Sequence, residues 1–305
     1  MGKLRLTPLL TEIKKKKLKE DYADDMEDIM SGDLASATAT LKSKASDPEF
    51  KDASVKGTQD GAPGDEKIST SAGTPKCTEM YPTQAEIGFG NSLDDIVNDK
   101  YGAIDSAFSS PVKMPSPDGK IPVACASIGG KIYILDGHHR WSLCFMINPD
   151  AAMACDILEV PSGMDTEDAL IVMQTAIAAK AGKVVTKAFE GKDLMSTSTE
   201  EVRSYILDNI GDNEVATFAK YKSELNTKEA VADHVAESHK KIVAMKGPFP
   251  RDIMPQAGKS GVSQDDVNKA LAAGEINYKE PYGTAATTQE SINKSRWAKL
   301  ANIKK

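Results

Sequence analysis

The sequence predicts an α/β fold: a small sheet with helices, followed by a mainly helical C-terminal region. Three observations predict it. Ile132, Tyr133, Ile134 and Leu135 form a short apolar, partly β-branched run of the kind a buried strand uses, and the run ends abruptly at Asp136-Gly137. From His138 to Ile147 there is no Gly or Pro, and Trp141, Cys144, Phe145 and Ile147 are spaced about one helical turn apart. Beyond Asp165 apolar residues recur at helical spacing in several segments that carry helix start and stop signals.

The elements follow in chain order. Thr7-Pro8 starts a helix whose Leu9, Leu10, Ile13, Leu18, Tyr22, Met26, Ile29 and Met30 recur at mostly helical spacing. Its bases, Lys14 to Lys17, precede its acids, Glu20 to Asp28, against the helix dipole. Residues 1–31 are therefore expected to need a partner. They form either a docking peptide that attaches the protein to an assembly or a helix packed on its own domain. Residues 32–76 are mostly Ala, Ser, Thr, Gly, Asp, Lys and Pro, with too little apolar surface to offset chain entropy, and read as a flexible linker.

A core domain spans 77–162. Asn91 to Val97 forms a short helix capped by Asn91 or Ser92, and Ile121 to Ser127 a strand. Gly129-Gly130 supplies a hairpin turn into the strand that ends at Asp136. Asn148-Pro149 breaks the next helix, and Met153 to Val160 gives a further strand. In the helical region, 163–275, Asp165 precedes the apolar stretch Ala169 to Ile177. Ser198-x-x-Glu201 is a capping box ahead of Val202, Tyr205, Ile206 and Ile210, with Gly211 as the stop. Asn226 precedes a long helix ended by Gly247-Pro248, and Ser263 to Ala273 makes one more. These helices form a small domain or a cover on the sheet. Gly247 to Gln256 reads as a rigid, proline-punctuated loop, and 276–305 as a polar tail with a basic end.

Composition narrows the function classes. At 305 residues, with 40% hydrophobic and 27% charged residues, the chain holds one or two soluble domains plus some disordered sequence. A net charge of −7 counts against a surface that coats DNA, leaving room for a local basic patch. No apolar run reaches the length of a membrane span, and MGKLRLTPLL lacks a signal-peptide core, so a cytoplasmic protein is expected. Cys77, Cys125, Cys144 and Cys155 show no C-x-x-C pairing and read as reduced, buried thiols.

The chemistry concentrates at Asp136 to Arg140. At a strand-to-helix turn the first N–H groups of the helix carry partial positive charge and can hold a phosphate, and a glycine allows close approach. An arginine beside the turn adds a bidentate grip on phosphate oxygens. Asp136-Gly137-His138-His139-Arg140 resembles the strand-turn-helix box of the ParB/sulfiredoxin superfamily, whose members share a small α/β fold with a mixed sheet and bind nucleotides through this turn. By motif it is most similar to the free serine kinases, whose box is likewise Asp-Gly-His followed by an arginine. The resemblance covers roughly Cys77 to Val160, and Tyr81-Pro82-Thr83-Gln84-Ala85-Glu86-Ile87-Gly88 resembles the Pro-x-Gln segment that opens that fold. Sulfiredoxins carry a reactive cysteine where this chain has His138, which argues against sulfinic acid repair. Partition proteins carry an alanine where this chain has Leu143.

The resemblance implies ATP or ADP with Mg²⁺ as cofactors, with Gln84, Gly137, His139, Arg140 and Ser142 contacting the nucleotide. It implies Glu86 as the base that takes the proton of an attacking hydroxyl, with Asp136 and His138 assisting. Each has a plainer rival. Glu86 is otherwise a solvated carboxylate, Asp136 a helix cap, Arg140 half of a surface ion pair, and one of the two histidines structural. Trp141 reads as core. His234 and His239, five apart, do not share a helix face, and no metal site is assigned.

Two functions from different classes follow. One is phosphoryl transfer from ATP or ADP to a small hydroxyl compound such as serine. The other is a non-catalytic nucleotide-binding or scaffold module in a larger assembly, such as a phage particle, which would make the protein virion-associated. A ParB-like nuclease is weaker, because no second and third carboxylate cluster with Asp136.

Overall fold

The computed structural model describes residues 69–109, 111–112, 115–116, 119–120, 122–159, 191–245 and 247. The expected N-terminal helix, the helices at 169–177 and 263–273, most of the 247–256 loop and the tail lie outside the described residues.

A mixed five-stranded sheet forms the centre, in the order β1-β7-β5-β6-β2. Its strands are β1 (Ser69–Gly73), β2 (Met80–Pro82), β5 (Val123–Ile128), β6 (Lys131–Asp136) and β7 (Cys155–Glu159). A separate ribbon pairs β3 (Pro115–Ser116) with β4 (Gly119–Lys120). In the sheet β1 runs antiparallel to β7, β7 parallel to β5, β5 antiparallel to β6 and β6 parallel to β2. The β5–β6 hairpin closes from Ile128 to Lys131, and Gly129 and Gly130 both have positive φ, 58° and 79°, as a two-residue primed turn requires. Val123, Ala124, Cys125 and Ala126 are all buried. The central strand β5 is thus covered on both faces and lacks simple in-out alternation.

The helices are α1 (Gly90–Val97), α2 (Ala103–Ala107), α3 (His138–Ile147), α4 (Thr199–Asn209), α5 (Asp212–Tyr221) and α6 (Lys228–Ala244). α3 is buried along most of its length, from Trp141 to Ile147. It packs against α1, α2 and α6. Val202, Ile206, Phe218, Val231, Val235 and Ile242 of the last three helices share one apolar cluster with Trp141, Phe145 and Leu93. Of the two arrangements open from sequence, α4 to α6 are therefore a cover on the α/β unit and not a domain with its own core.

Several boundaries differ from expectation. The sheet begins at Ser69, inside the span expected to be linker. β1 is an edge strand whose backbone pairs with β7 from Ser69–Glu159 to Gly73–Cys155, and such pairing needs no apolar side chains. α1 starts at Gly90, so Asn91 and Ser92 are inside it and neither caps it. Ser92 instead buries its hydroxyl 2.9 Å from that of Ser142 on α3. The strand expected at 121–127 runs Val123–Ile128, and that expected at 153–160 runs Cys155–Glu159. α5 was not foreseen: Gly211, read as a stop, is also its cap position, and Asp212 and Glu214 supply the acids its first turn favours. The long helix is capped by Thr227, which accepts from the Ala230 N–H, one residue beyond Asn226. Of the capping box read at Ser198, the serine half forms, its hydroxyl accepting from the Glu201 N–H at 3.2 Å, while the Glu201 carboxylate pairs with Lys192 at 2.6 Å.

Candidate functional site

β6 delivers the chain into a sharp turn at Gly137, which has φ 110° and ψ 18°, and α3 begins at the next residue. Only glycine adopts that backbone without strain. Space is restricted as well. A Cβ at Gly137 would stand 3.0 Å from Arg140 Nη2 and 3.1 Å from Val123 Cγ1. Any side chain at the turn would press on Arg140 and Val123.

Arg140 folds back beside this turn, half-buried, with Nη1 donating a long bond to the Pro122 carbonyl at 3.5 Å. Burial lowers the guanidinium from its usual range, and neighbouring Asp136 acts in the opposite sense by favouring the charge. A charge-assisted partner at the turn would strengthen the second effect.

His138 is buried, and its Nε2 faces the segment after β2. The Thr83 N–H donates to Nε2 at 3.0 Å and the Gln84 N–H at 3.3 Å, while the Thr83 hydroxyl donates to the Ile134 carbonyl at 2.6 Å. Two donors converge on Nε2, so that nitrogen carries the lone pair and the proton of the neutral ring is assigned to Nδ1. His138 thereby ties the Pro82-Thr83-Gln84 segment to the first turn of α3. Nε2, the atom nearest that segment, is occupied by structure. His139, the next residue, is half-buried.

Gln84 is 8% exposed, and its Oε1 is buried with no hydrogen-bond partner among the described residues. A buried amide oxygen without a partner costs about 1–3 kcal/mol, which a ligand donor would relieve. Glu86 follows two residues on, half-buried, and the next N–H, of Ile87, donates to Asp193 Oδ1 at 2.9 Å. The short span carrying Glu86 is therefore anchored at both ends, to α3 through His138 and to the 191–197 segment through Asp193.

Thus the structure brings Gln84, Gly137, His138 and Arg140 together around one turn, with Asp136 acting on Arg140. Ser142 does not join them. It is fully buried, its hydroxyl between Ser92 and the His139 carbonyl, where it links α1 to α3. Sequence reasoning missed Thr83, whose N–H reaches His138 and whose hydroxyl reaches Ile134 of β6, and Asp193. It read Gly247 as a helix stop and the start of a rigid loop, yet a Cβ there would stand 2.4 Å from the Thr83 carbonyl carbon.

Residues outside the turn have structural duties. Trp141 is buried and donates its indole N–H to the Cys77 carbonyl at 3.0 Å. All four cysteines are buried free thiols. The Cys77 thiol is pushed well up by its hydrogen bond with Cys144 and by burial, and that of Cys125 by burial and its bond with Cys155. His234 and His239 donate from Nε2 to the carbonyls of Ile147 and Leu194, each at 2.8 Å, and burial lowers both imidazoles below their ordinary value. Among the described residues no group of three or more His, Cys, Asp or Glu is placed to hold a metal ion, and no helix is long and apolar enough to cross a membrane. Compared with family models, with curated proteins and with solved structures, the chain matches none of them.

Proposed function

We propose that this chain binds the phosphates of a nucleotide, ATP or ADP, at the Gly137 turn and transfers a phosphoryl group to a small hydroxyl compound such as serine. The observation that carries the reading is the convergence at Gly137: a left-handed glycine opening a ten-residue helix, Arg140 beside the turn, and the buried Oε1 of Gln84, without a partner among the described residues, on the segment bonded to that helix. The buried Gln84 oxygen and the arginine at the helix start fit a ligand whose anionic part meets the helix start and whose hydroxyl or amino donor meets Gln84. A bound nucleotide would supply the phosphoryl group, and Mg²⁺ would be held mainly by phosphate oxygens, with Asp136 the carboxylate at the turn.

The protein's own part is positioning and charge. Arg140 grips phosphate oxygens, and the first N–H groups of α3 face developing negative charge. Gly137 lets the chain turn sharply into α3, and His139 adds a hydrogen bond. Glu86 takes the proton of the attacking hydroxyl. His138 acts by holding the Gln84 segment in place. The test is incubation with ATP or ADP, Mg²⁺ and small hydroxyl compounds including serine, with the phosphorylated product detected. Glu86→Gln should abolish transfer and keep nucleotide affinity. Transfer that persists in Glu86→Gln would remove the base from the scheme.

A second reading, nucleotide binding without turnover in a larger assembly, is favoured by one observation: two residues expected at the site, His138 and Ser142, are committed to internal bonds. It predicts binding that Arg140→Ala abolishes and Glu86→Gln leaves untouched, with no product.

A further inference from the structure

We infer that Gly247, three residues past the end of α6, is a positioning residue for the ligand turn, so that docking of the helical cover and ligand binding are one coupled event. The inference rests on the proposed nucleotide site. Gly247 is buried with its backbone directly on the peptide that joins Thr83 to Gln84. A Cβ there would stand 2.4 Å from the Thr83 carbonyl carbon and 2.6 Å from the carbonyl oxygens of Thr83 and Gln84. These are backbone atoms, which cannot swing aside as the tip of a long side chain can, so any other residue forces the two segments apart.

The segment it presses on is the one that matters for the site. The Thr83 and Gln84 N–H groups reach His138 Nε2 at 3.0 and 3.3 Å, and the Thr83 hydroxyl reaches Ile134 at 2.6 Å. Those distances leave little room to give. A shift of about 1 Å would break both N–H bonds to His138, release the first turn of α3 from the β2 segment, and move the Gln84 amide. The contact therefore runs from the end of α6, through one glycine and one peptide, to the imidazole at the start of the helix that holds the phosphates.

Gly247→Ala tests this, with Gly129→Ala as control, because Gly129 has a positive φ but nothing within 4 Å of an added Cβ. Two readouts are taken: the imidazole ¹⁵N shifts of His138 and the affinity for ATP. In the parent protein His138 should show a single neutral tautomer with the proton on Nδ1. Gly247→Ala should lose that signature and weaken ATP binding about tenfold or more, while Gly129→Ala lowers stability and changes neither. A Gly247→Ala protein that melts earlier but keeps the His138 signature and its ATP affinity would overturn the inference. If the parent protein binds no ATP, the nucleotide reading fails and takes the coupling with it; that result differs from parent binding that survives Gly247→Ala. Should Gly247→Ala not fold, ATP titration of the parent protein decides. The amide resonances of Thr83, Gln84 and Gly247 should move together, and a Gly247 resonance unmoved at saturating ATP would overturn the inference.

Discussion

The two ends of β6 use glycine for different reasons. At the start, Gly129 and Gly130 have positive φ and open space around them, and their only duty is to turn the chain. At the far end, Gly137 also has positive φ, but the space a side chain would take is bounded by Arg140 and Val123. A glycine demanded by backbone alone marks a turn. One demanded by backbone and by space marks a place where other parts of the chain, here Arg140 and Val123, approach the backbone closely.

The largest effect should come from putting a methyl group at each end. Gly137→Ala combines left-handed strain with displacement of Arg140 and should cost about 3 kcal/mol in urea unfolding, whereas Gly129→Ala should cost about 1 kcal/mol. Equal costs would erase the distinction between the two turns. Next, Ser142→Ala should destabilise by about 1 kcal/mol through the lost bond to Ser92 and leave ATP affinity unchanged. Weakened ATP binding in Ser142→Ala would return that hydroxyl to the site.

How much of this was legible follows from what each feature needs. The β6 strand, the hairpin at Gly129-Gly130 and the helix after Gly137 are written in local patterns of apolar residues and glycine, so they read directly. β1 was not, because Ser69 to Gly73 joins the sheet through its backbone and has no apolar periodicity to betray it. α5 was hidden because Gly211 both stops one helix and leads the next. Within the site, Gly137 and Arg140 sit in a recognisable box, but the direction of Ser142 depends on where α1 packs. The pressure of Gly247 on Thr83 depends on a contact between residues 164 positions apart, which no local pattern carries.

A pH series probes the cover against the turn. Burial holds His234 and His239, both on α6, below the ordinary value of 6.5. As pH falls the unfolded chain takes up protons first, so stability is full above the ordinary histidine range and is lost as pH falls through 6.5 towards the lower folded values. Tm should therefore drop between about pH 7.5 and about pH 5.5. A level Tm across that window would contradict the burial of these rings.

The smallest effect reverses the glycine argument. Tyr101 is 63% exposed with φ 61°, a left-handed conformation held by a side chain in no need of burial. Tyr101→Gly should raise stability by about 0.5–1 kcal/mol. A loss instead would mean that the tyrosine ring contributes more than its backbone costs.

The account's central claim is that the Gly137 turn with Arg140 holds nucleotide phosphates, and isothermal titration with ATP, ADP and CTP in Mg²⁺ tests it most directly. The purified protein should bind ATP or ADP. Arg140→Lys, which keeps the charge but loses the planar fork, should weaken that binding by about tenfold or more. Binding of no nucleotide, or binding indifferent to Arg140→Lys and Arg140→Ala alike, would contradict it and leave Gly137 as a structural turn.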